Sequence, residues 1–168
     1  MTHQSYKLIC ALLVGVSISV LAFSQRIRDK AVRTASSEKV DTSVIAIIPF
    51  RQSMEWLFDE NYKSCSLTKT DIIEIENLLD ECITDYNNKF SEDKSQDKLI
   101  KENYKRQYVA AINKKGEKEI WINCLCQTES NRWKKSVILV ADGGSCYFNL
   151  KVNLTKKKYY NLIVNGLA

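Results

Sequence analysis

Apolar and polar positions change rhythm along the chain, and each change marks an element. Leu8 to Phe23 is apolar except for Gly15, Ser17 and Ser19, a run of 16 residues. Residues 25–43 are polar and charged with no period, the pattern of a mobile leader. Val44 to Ile48 is a β-branched run stopped by Pro49, which predicts a short buried strand. Ser53 to Asp59 suits one or two helical turns, with Met54, Trp56, Leu57 and Phe58 too apolar for open solvent. Beyond Thr68 and Thr70, both fit to cap a helix, Ile72, Ile75, Leu78, Leu79, Cys82, Ile83 and Tyr86 recur at steps of three and four. Glu74, Glu76, Asp80, Glu81 and Asp85 fall mostly off that stripe. The spacing predicts a long amphipathic helix over about 69–89.

From Tyr104 the rhythm is that of strands, expected near 104–113, 118–127, 135–141, 146–153 and 159–165. The connections carry turn chemistry: Asn113-Lys114-Lys115-Gly116, Glu129-Ser130-Asn131-Arg132, Asp142-Gly143-Gly144-Ser145 and Thr155-Lys156-Lys157-Lys158. Asp-Gly-Gly supplies the positive-φ positions of a tight hairpin. Connections this short make successive strands antiparallel neighbours. The expected fold class is therefore α+β, with one long amphipathic helix packed on an antiparallel β-meander of four to five strands. One such domain is expected over residues 44–168. Registers counted from the turn centres put Tyr108, Ala110, Trp121, Leu125, Val137, Phe148 and Leu150 on the face toward the helix. Val109, Ala111, Ile122, Cys124, Ile138, Val140 and Leu162 fall on the other face. That second face is also largely apolar, unlike a sheet with one wet side. Its cover is expected from Val44–Phe58, from self-association, or from an unknown protein partner.

The N-terminal run reads as an export signal over residues 1–24. Lys7 and the α-amino group precede it, and Ala22-Phe23-Ser24 places small residues where a signal peptidase reads them, so cleavage is expected before Gln25. The alternative is a retained membrane anchor at residues 8–23, although the run is shorter than the roughly 20 residues that span a bilayer comfortably. Arg26, Arg28, Lys30 and Arg33 crowd its far side, where positive charge resists translocation. The expected location is exported, in a periplasm or outside the cell.

Composition then limits the chemistry. The one histidine, His3, lies in the segment expected to be removed. Catalysis by Ser–His–Asp or Cys–His arrangements, catalytic zinc sites that rely on histidine, and histidine pH switches are thereby set aside. No cofactor and no metal site are expected.

Five cysteines follow the signal: Cys65, Cys82, Cys124, Cys126 and Cys146. Most read as small buried hydrophobes. The alternative is one disulfide, with Cys65–Cys82 the first choice, and an odd count leaves at least one thiol unpaired.

Asp142-Gly143-Gly144-Ser145-Cys146-Tyr147-Phe148, Asn153-Leu154-Thr155, Tyr159-Tyr160 and the terminal Asn165-Gly166-x-Ala168 together resemble an uncharacterised family of small exported proteins from Bacteroides-type bacteria. Tyr104-Lys105-Arg106-Gln107-Tyr108-Val109 and Trp121-Ile122-Asn123-Cys124-x-Cys126 fit the same resemblance, which covers roughly residues 44–168. It implies compartment and fold rather than chemistry. The helix-then-meander order is also similar to cystatin-like and NTF2-like architectures, an analogy of fold alone.

In a five-strand meander alternate turns share one end of the sheet. Arg132, Lys134 and Lys135 are then expected beside Lys156, Lys157 and Lys158, with Trp133 among them. Such a cluster would contact an anionic glycan, a lipid headgroup surface or an acidic partner; the plain alternative is solubilising turn lysines. Nucleic acid is not an expected partner, and a membrane is expected only through an uncleaved signal. The leading functional expectation is an exported, non-catalytic binding or interaction module. The alternatives are a carboxylate- or thiol-dependent enzyme and a binder of anionic surfaces.

Overall fold

The computed structural model describes residues 40–58, 61–90, 97–128 and 130–166. The expected signal segment and nearly all of the leader lie outside the described residues.

Residues 40–166 build a six-stranded, mostly antiparallel sheet with one α-helix among the described residues, an α+β fold. The strands are β1 (Ile45–Pro49), β2 (Lys63–Ser64), β3 (Lys105–Ile112), β4 (Lys118–Leu125), β5 (Tyr147–Asn153) and β6 (Lys158–Val164); the helix α1 is Lys69–Asn87. Their order is β1-β3-β4-β5-β6, and β2 pairs with the last two residues of β3. β3 to β6 form the antiparallel meander. β1 lies parallel to β3, so a crossover must join them, and that crossover carries α1.

α1 starts at Thr68, whose Oγ1 accepts the Asp71 N–H while the Asp71 carboxylate accepts the Thr68 N–H, a reciprocal capping box. The helix buries Ile75, Leu78, Leu79, Cys82 and Ile83 against Tyr108, Ala110, Ile120, Ile122, Cys124, Phe148, Leu150 and Val152 of the sheet. Within this apolar layer lies one charged group of contacts. Arg106 Nε sits 3.0 Å from Glu76 Oε1, both side chains almost fully buried, and the Tyr108 hydroxyl donates to the same carboxylate. Arg106 Nη1 donates to the carbonyls of Lys101 and Tyr104. Removing one partner of such a pair strands a buried charge and costs about 3–5 kcal/mol.

The second sheet face is closed by the chain itself. Phe50, Leu57, Phe58 and Tyr62 from the crossover, and Trp133 with partly buried Val137 and Ile138 from the β4–β5 connection, pack on Val109, Ala111, Trp121 and Leu125. Two departures from the expected meander follow.

First, Trp121 and Leu125 share this face with Val109, whereas Ile122 and Cys124 face the helix. The β3–β4 loop holds five residues, 113–117, with Gly116 at φ 76° and the Gly116 N–H donating to the Asn113 carbonyl. The pairing is Tyr108 with Ile122 rather than with Trp121, and a one-residue change of register turns every side chain over.

Second, 135–141 is no strand. β4 pairs directly with β5, and the β5-leading Asp142-Gly143-Gly144 is not a hairpin turn but the entry to a 3₁₀ turn at Gly144–Cys146. Gly143 is at φ 87°, and a Cβ there would meet the Tyr147 ring at 2.7 Å.

Two buried amides hold the 131–138 segment in place. Gln107 and Asn123 are cross-strand neighbours on the second face, with almost no exposure. Gln107 Nε2 donates to the carbonyls of Trp133 (2.5 Å) and Ser136 (2.8 Å). Its Oε1 accepts the Ile138 N–H (2.9 Å) and Asn123 Nδ2 (3.1 Å), and Asn123 Nδ2 also reaches the Ile138 carbonyl at 2.7 Å. The amides thus serve the loop as a neighbouring strand would.

At the base of the loop, Cys126 and Cys146 form a disulfide, with a Cα–Cα distance of 5.1 Å and the Cys126 N–H donating to the Cys146 carbonyl. Closing 20 residues of chain in this way stabilises a fold by about 3 kcal/mol in the chain-entropy account. The Cys65–Cys82 bridge, first choice within the disulfide alternative, does not form; both are free thiols. They belong to the layer between helix and sheet, whereas Cys126 and Cys146 are brought side by side as the β4–β5 ladder zips up to its end.

Gln107→Ala leaves the carbonyls of Trp133 and Ser136 and the Ile138 N–H without their partner. The expected loss, measured by urea unfolding, is at least about 3 kcal/mol, given about 1–3 kcal/mol per orphaned group. A loss within about 0.5 kcal/mol, the usual surface value, would contradict the clasp.

Candidate functional site

The expected gathering of six positive charges does not form. With no strand at 135–141, the sheet has one turn fewer than the five-strand meander, and the two basic groups go to opposite ends of β5. The 126–146 connection leaves from Leu125 and returns at Tyr147, while the 154–157 turn follows Asn153 at the end where Lys118 starts β4.

Lys156, Lys157 and Lys158 sit at this second end and are drawn into local contacts. Lys156 Nζ is 2.7 Å from Glu117 Oε1, Lys157 Nζ is 3.8 Å from Glu74 on the helix, and Lys158 pairs with Asn153 in the ladder. Glu117 also accepts from Asn113 and Asn153. The Lys156 ammonium, followed by the Asn113 amide, pulls the Glu117 carboxyl down from 4.5 to about 2. Beside it, Glu119 is buried and accepts from the hydroxyls of Tyr62 (3.0 Å) and Tyr160 and from Asn113 Nδ2 (2.9 Å). These contacts tie the β3–β4 turn, the β5–β6 turn and the approach to β2 together.

Arg132, Trp133, Lys134 and Lys135 sit at the other end, around a cleft of about 280 Å³. Its lining is Gln127, Thr128, Ser130, Arg132, Trp133, Ile138, Val140 and Tyr147. The cleft exists because the loop is fixed from several sides. Ser130 Oγ accepts the Arg132 N–H and starts a 3₁₀ turn at Asn131–Lys134, which the Lys135 N–H closes onto the Arg132 carbonyl. Trp133 is buried and clasped through its carbonyl by Gln107. Ile138 is held by both amides, and the Val140 carbonyl accepts from Asn165 Nδ2 at 2.7 Å.

Positive charge surrounds Trp133. Lys105 Nζ lies 5.4 Å and Lys134 Nζ 5.5 Å from the ring centroid, cation–π distances. Lys105 Nζ also donates to Thr128 Oγ1 at 2.7 Å. The Arg132 guanidinium is exposed and has no ion-pair partner among the described residues. Of the residues singled out from sequence, Arg132 and Trp133 line the cleft and Lys134 and Lys135 flank them. Gln127, Thr128, Ser130, Ile138, Val140 and Tyr147 escaped sequence reasoning as site residues. Their signal is the pair Cys126 and Cys146, which brackets a tryptophan and a polar run.

The three free thiols among the described residues are poorly placed for chemistry. Burial raises the pKa of Cys65, lifts Cys82 to about 11, and pushes Cys124 well above the usual thiol value. A nucleophilic thiol needs the opposite shift. The carboxylate pair Asp80-Glu81 projects from exposed positions of α1, and Asp80 binds Lys101 Nζ at 2.5 Å. The pairs Asp59-Glu60 and Glu92-Asp93 lie outside the described residues. Among the described residues no helix is long and apolar enough to cross a membrane, and no three His, Cys, Asp or Glu side chains group to hold a metal. No protein-family model, curated protein or solved structure matches the chain.

Glu117 has its folded pKa below the unfolded value, so its contribution to stability is present above pH 4.5 and is lost as pH falls through about 2. Lys156→Gln is expected to raise the Glu117 pKa toward 4.5 and to flatten stability across that window. Carbon-13 NMR titration of the Glu117 carboxyl reads it directly. A wild-type value already near 4.5 would contradict the assigned contacts.

Proposed function

We propose that the protein is an exported, non-catalytic binding module, and that the cleft formed by the β4–β5 connection and Tyr147 at the start of β5 receives its ligand. The observation that carries this reading is the make-up of the cleft. A guanidinium, two hydroxyls, an amide and a tyrosine stand around partly buried Ile138 and Val140, on a loop held by a disulfide and two buried amides. Polar and apolar side chains together on a firmly supported segment are the ordinary composition of a recognition site.

Export is supported by the signal-like N-terminal pattern and by the Cys126–Cys146 bridge, since disulfides persist in oxidising compartments. The resemblance to the family of small exported proteins points the same way. Self-association through the second sheet face loses its motive, because the chain's own Phe58, Tyr62 and Trp133 occupy that face. The enzyme reading draws less support: burial suppresses the free thiols, and no carboxylate or thiol stands among the described residues that line the cleft. Binding of anionic surfaces through a six-charge end is replaced by a smaller basic rim, Lys105, Arg132 and Lys134.

A fragment screen followed by ¹⁵N NMR tests the location. Small amphipathic probes are expected to shift the amides of 127–133, Ile138, Val140 and Tyr147 together. Probes that converge on another surface, or on none, would remove this reading.

A further inference from the structure

The two limbs of the β4–β5 connection are fastened unequally. The returning limb is tied down along its length. The Val140 and Asp142 carbonyls accept from Asn165 Nδ2 (2.7 and 2.9 Å), and the Gly144 N–H donates to the Gly166 carbonyl (2.9 Å). The Ser145 carbonyl accepts from the Tyr104 hydroxyl (2.6 Å), and the Tyr147 carbonyl accepts the Asn165 N–H (3.0 Å). The outgoing limb is different. Among the described residues, no backbone hydrogen bond ties Gln127, Thr128 or Ser130 to the sheet. Thr128 Oγ1 accepts from the long Lys105 side chain, and the Ser130 Oγ bond to the Arg132 N–H stays within the connection. At its root the limb is held by Cys126, through its N–H bond to the Cys146 carbonyl and through the Cys126–Cys146 bridge. The next firm hold is Trp133, whose carbonyl Gln107 clasps.

We infer that Cys126–Cys146 is a redox-sensitive fastening: its reduction by a dithiol releases the outgoing limb and leaves the sheet and the returning limb in place. The consequence for binding rests on the cleft being the binding site, since Gln127, Thr128 and Ser130 belong to its lining. Both cysteines are half-buried and stand beyond the last ladder pair, Leu125 with Tyr147, so no strands need part for a reductant to approach. One thiolate of the dithiol attacks a bridge sulfur, the S–S bond breaks, and the displaced cysteine thiolate takes up a proton. The second thiol of the reductant then attacks the mixed disulfide and frees the other cysteine. Two electrons and two protons pass to the cysteines, and the dithiol becomes its own disulfide. Reoxidation restores the same pair. With the ladder intact, Cys126 and Cys146 stay side by side, whereas Cys124 and Cys82 are buried between helix and sheet, where burial holds both thiols protonated. A plain staple would loosen both limbs on reduction; the bonds to Asn165, Gly166 and Tyr104 confine the change to one of them.

The test compares the oxidised protein with the protein reduced by dithiothreitol under native conditions, reduction being followed by thiol alkylation and mass. On reduction, ¹⁵N order parameters at Gln127, Thr128 and Ser130 are expected to fall from about 0.85 to below about 0.6. The amides of β4 and β5, Ile138 and Gly144 are expected to keep their protection from hydrogen exchange. Cys126→Ser combined with Cys146→Ser is expected to reproduce the reduced pattern and to ignore dithiothreitol. A small probe that binds the cleft of the oxidised protein is expected to bind the reduced protein about tenfold more weakly, since each residue ordered again on binding costs on the order of that factor. Unchanged order parameters in the outgoing limb, lost protection at Gly144 or across the sheet, or a bridge that yields to dithiothreitol only when the protein unfolds would each overturn the inference. Equal probe affinity for the two forms would overturn its link to binding. Probes that bind neither form would remove the binding-module reading instead, and the order parameters decide the release on their own.

Discussion

Two amide side chains buried under an irregular loop set the terms for the rest of this structure. Gln107 and Asn123 lie side by side in the central strands, on a face otherwise lined by Val109, Ala111, Trp121 and Leu125. An amide in such surroundings is costly unless each of its donors and acceptors finds a partner. The 131–138 segment has the complementary problem: it covers an apolar face and must bring its own backbone polar groups with it. Each solves the other's difficulty. Gln107 makes four hydrogen bonds, three of them to the loop, and Asn123 adds one more. Trp133 is thereby pressed onto the sheet, and the polar residues before it are turned outward to line the cleft.

The same clasp determines where the charges lie. Once 131–138 is a cover rather than a strand, β4 and β5 zip together and the long connection is confined to their far end. The disulfide then closes that end. Arg132 and Lys134 come to stand beside Lys105, and Lys156 and Lys157 are left among Glu117 and Glu74 at the other end of the sheet. A basic cluster split in two becomes one set of local ion pairs and one rim with an uncommitted guanidinium.

Much of the backbone was legible in the residue pattern. The three- and four-residue apolar steps after Thr68 mark a helix that ends at Asn87, near the expected 89. The runs after Tyr104 mark β3, β4, β5 and β6 to within a few residues. Ser136 to Ala141 was illegible for a definite reason. Its Val-Ile-Leu-Val run has every property of a buried strand, and the side chains of Gln107, Asn123 and Asn165, 15 to 31 residues away, give it another way to be satisfied. The sheet faces were misassigned by one residue, because the five-residue turn at 113–117 has a different parity from the tighter one expected. Strand β1 was legible in the β-branched run Val44 to Ile48, but its parallel pairing with β3 was invisible to a rule built on short connections. For the site, Arg132 and Trp133 were legible as a cation beside an aromatic. Thr128 and Ser130 were not, since their place in the lining depends on how the disulfide and the two amides fold the connection back on the sheet.

The most direct measurement is native-state hydrogen exchange at the Ile138 amide. This N–H belongs to no strand or helix, and its partner is the Gln107 side chain, 2.9 Å away. Protection comparable to that of the β3 and β4 amides is expected, so that it opens only with the sheet. Exchange at the rate of an open surface loop would mean that the amides do not hold the segment, and the cleft would lose its foundation.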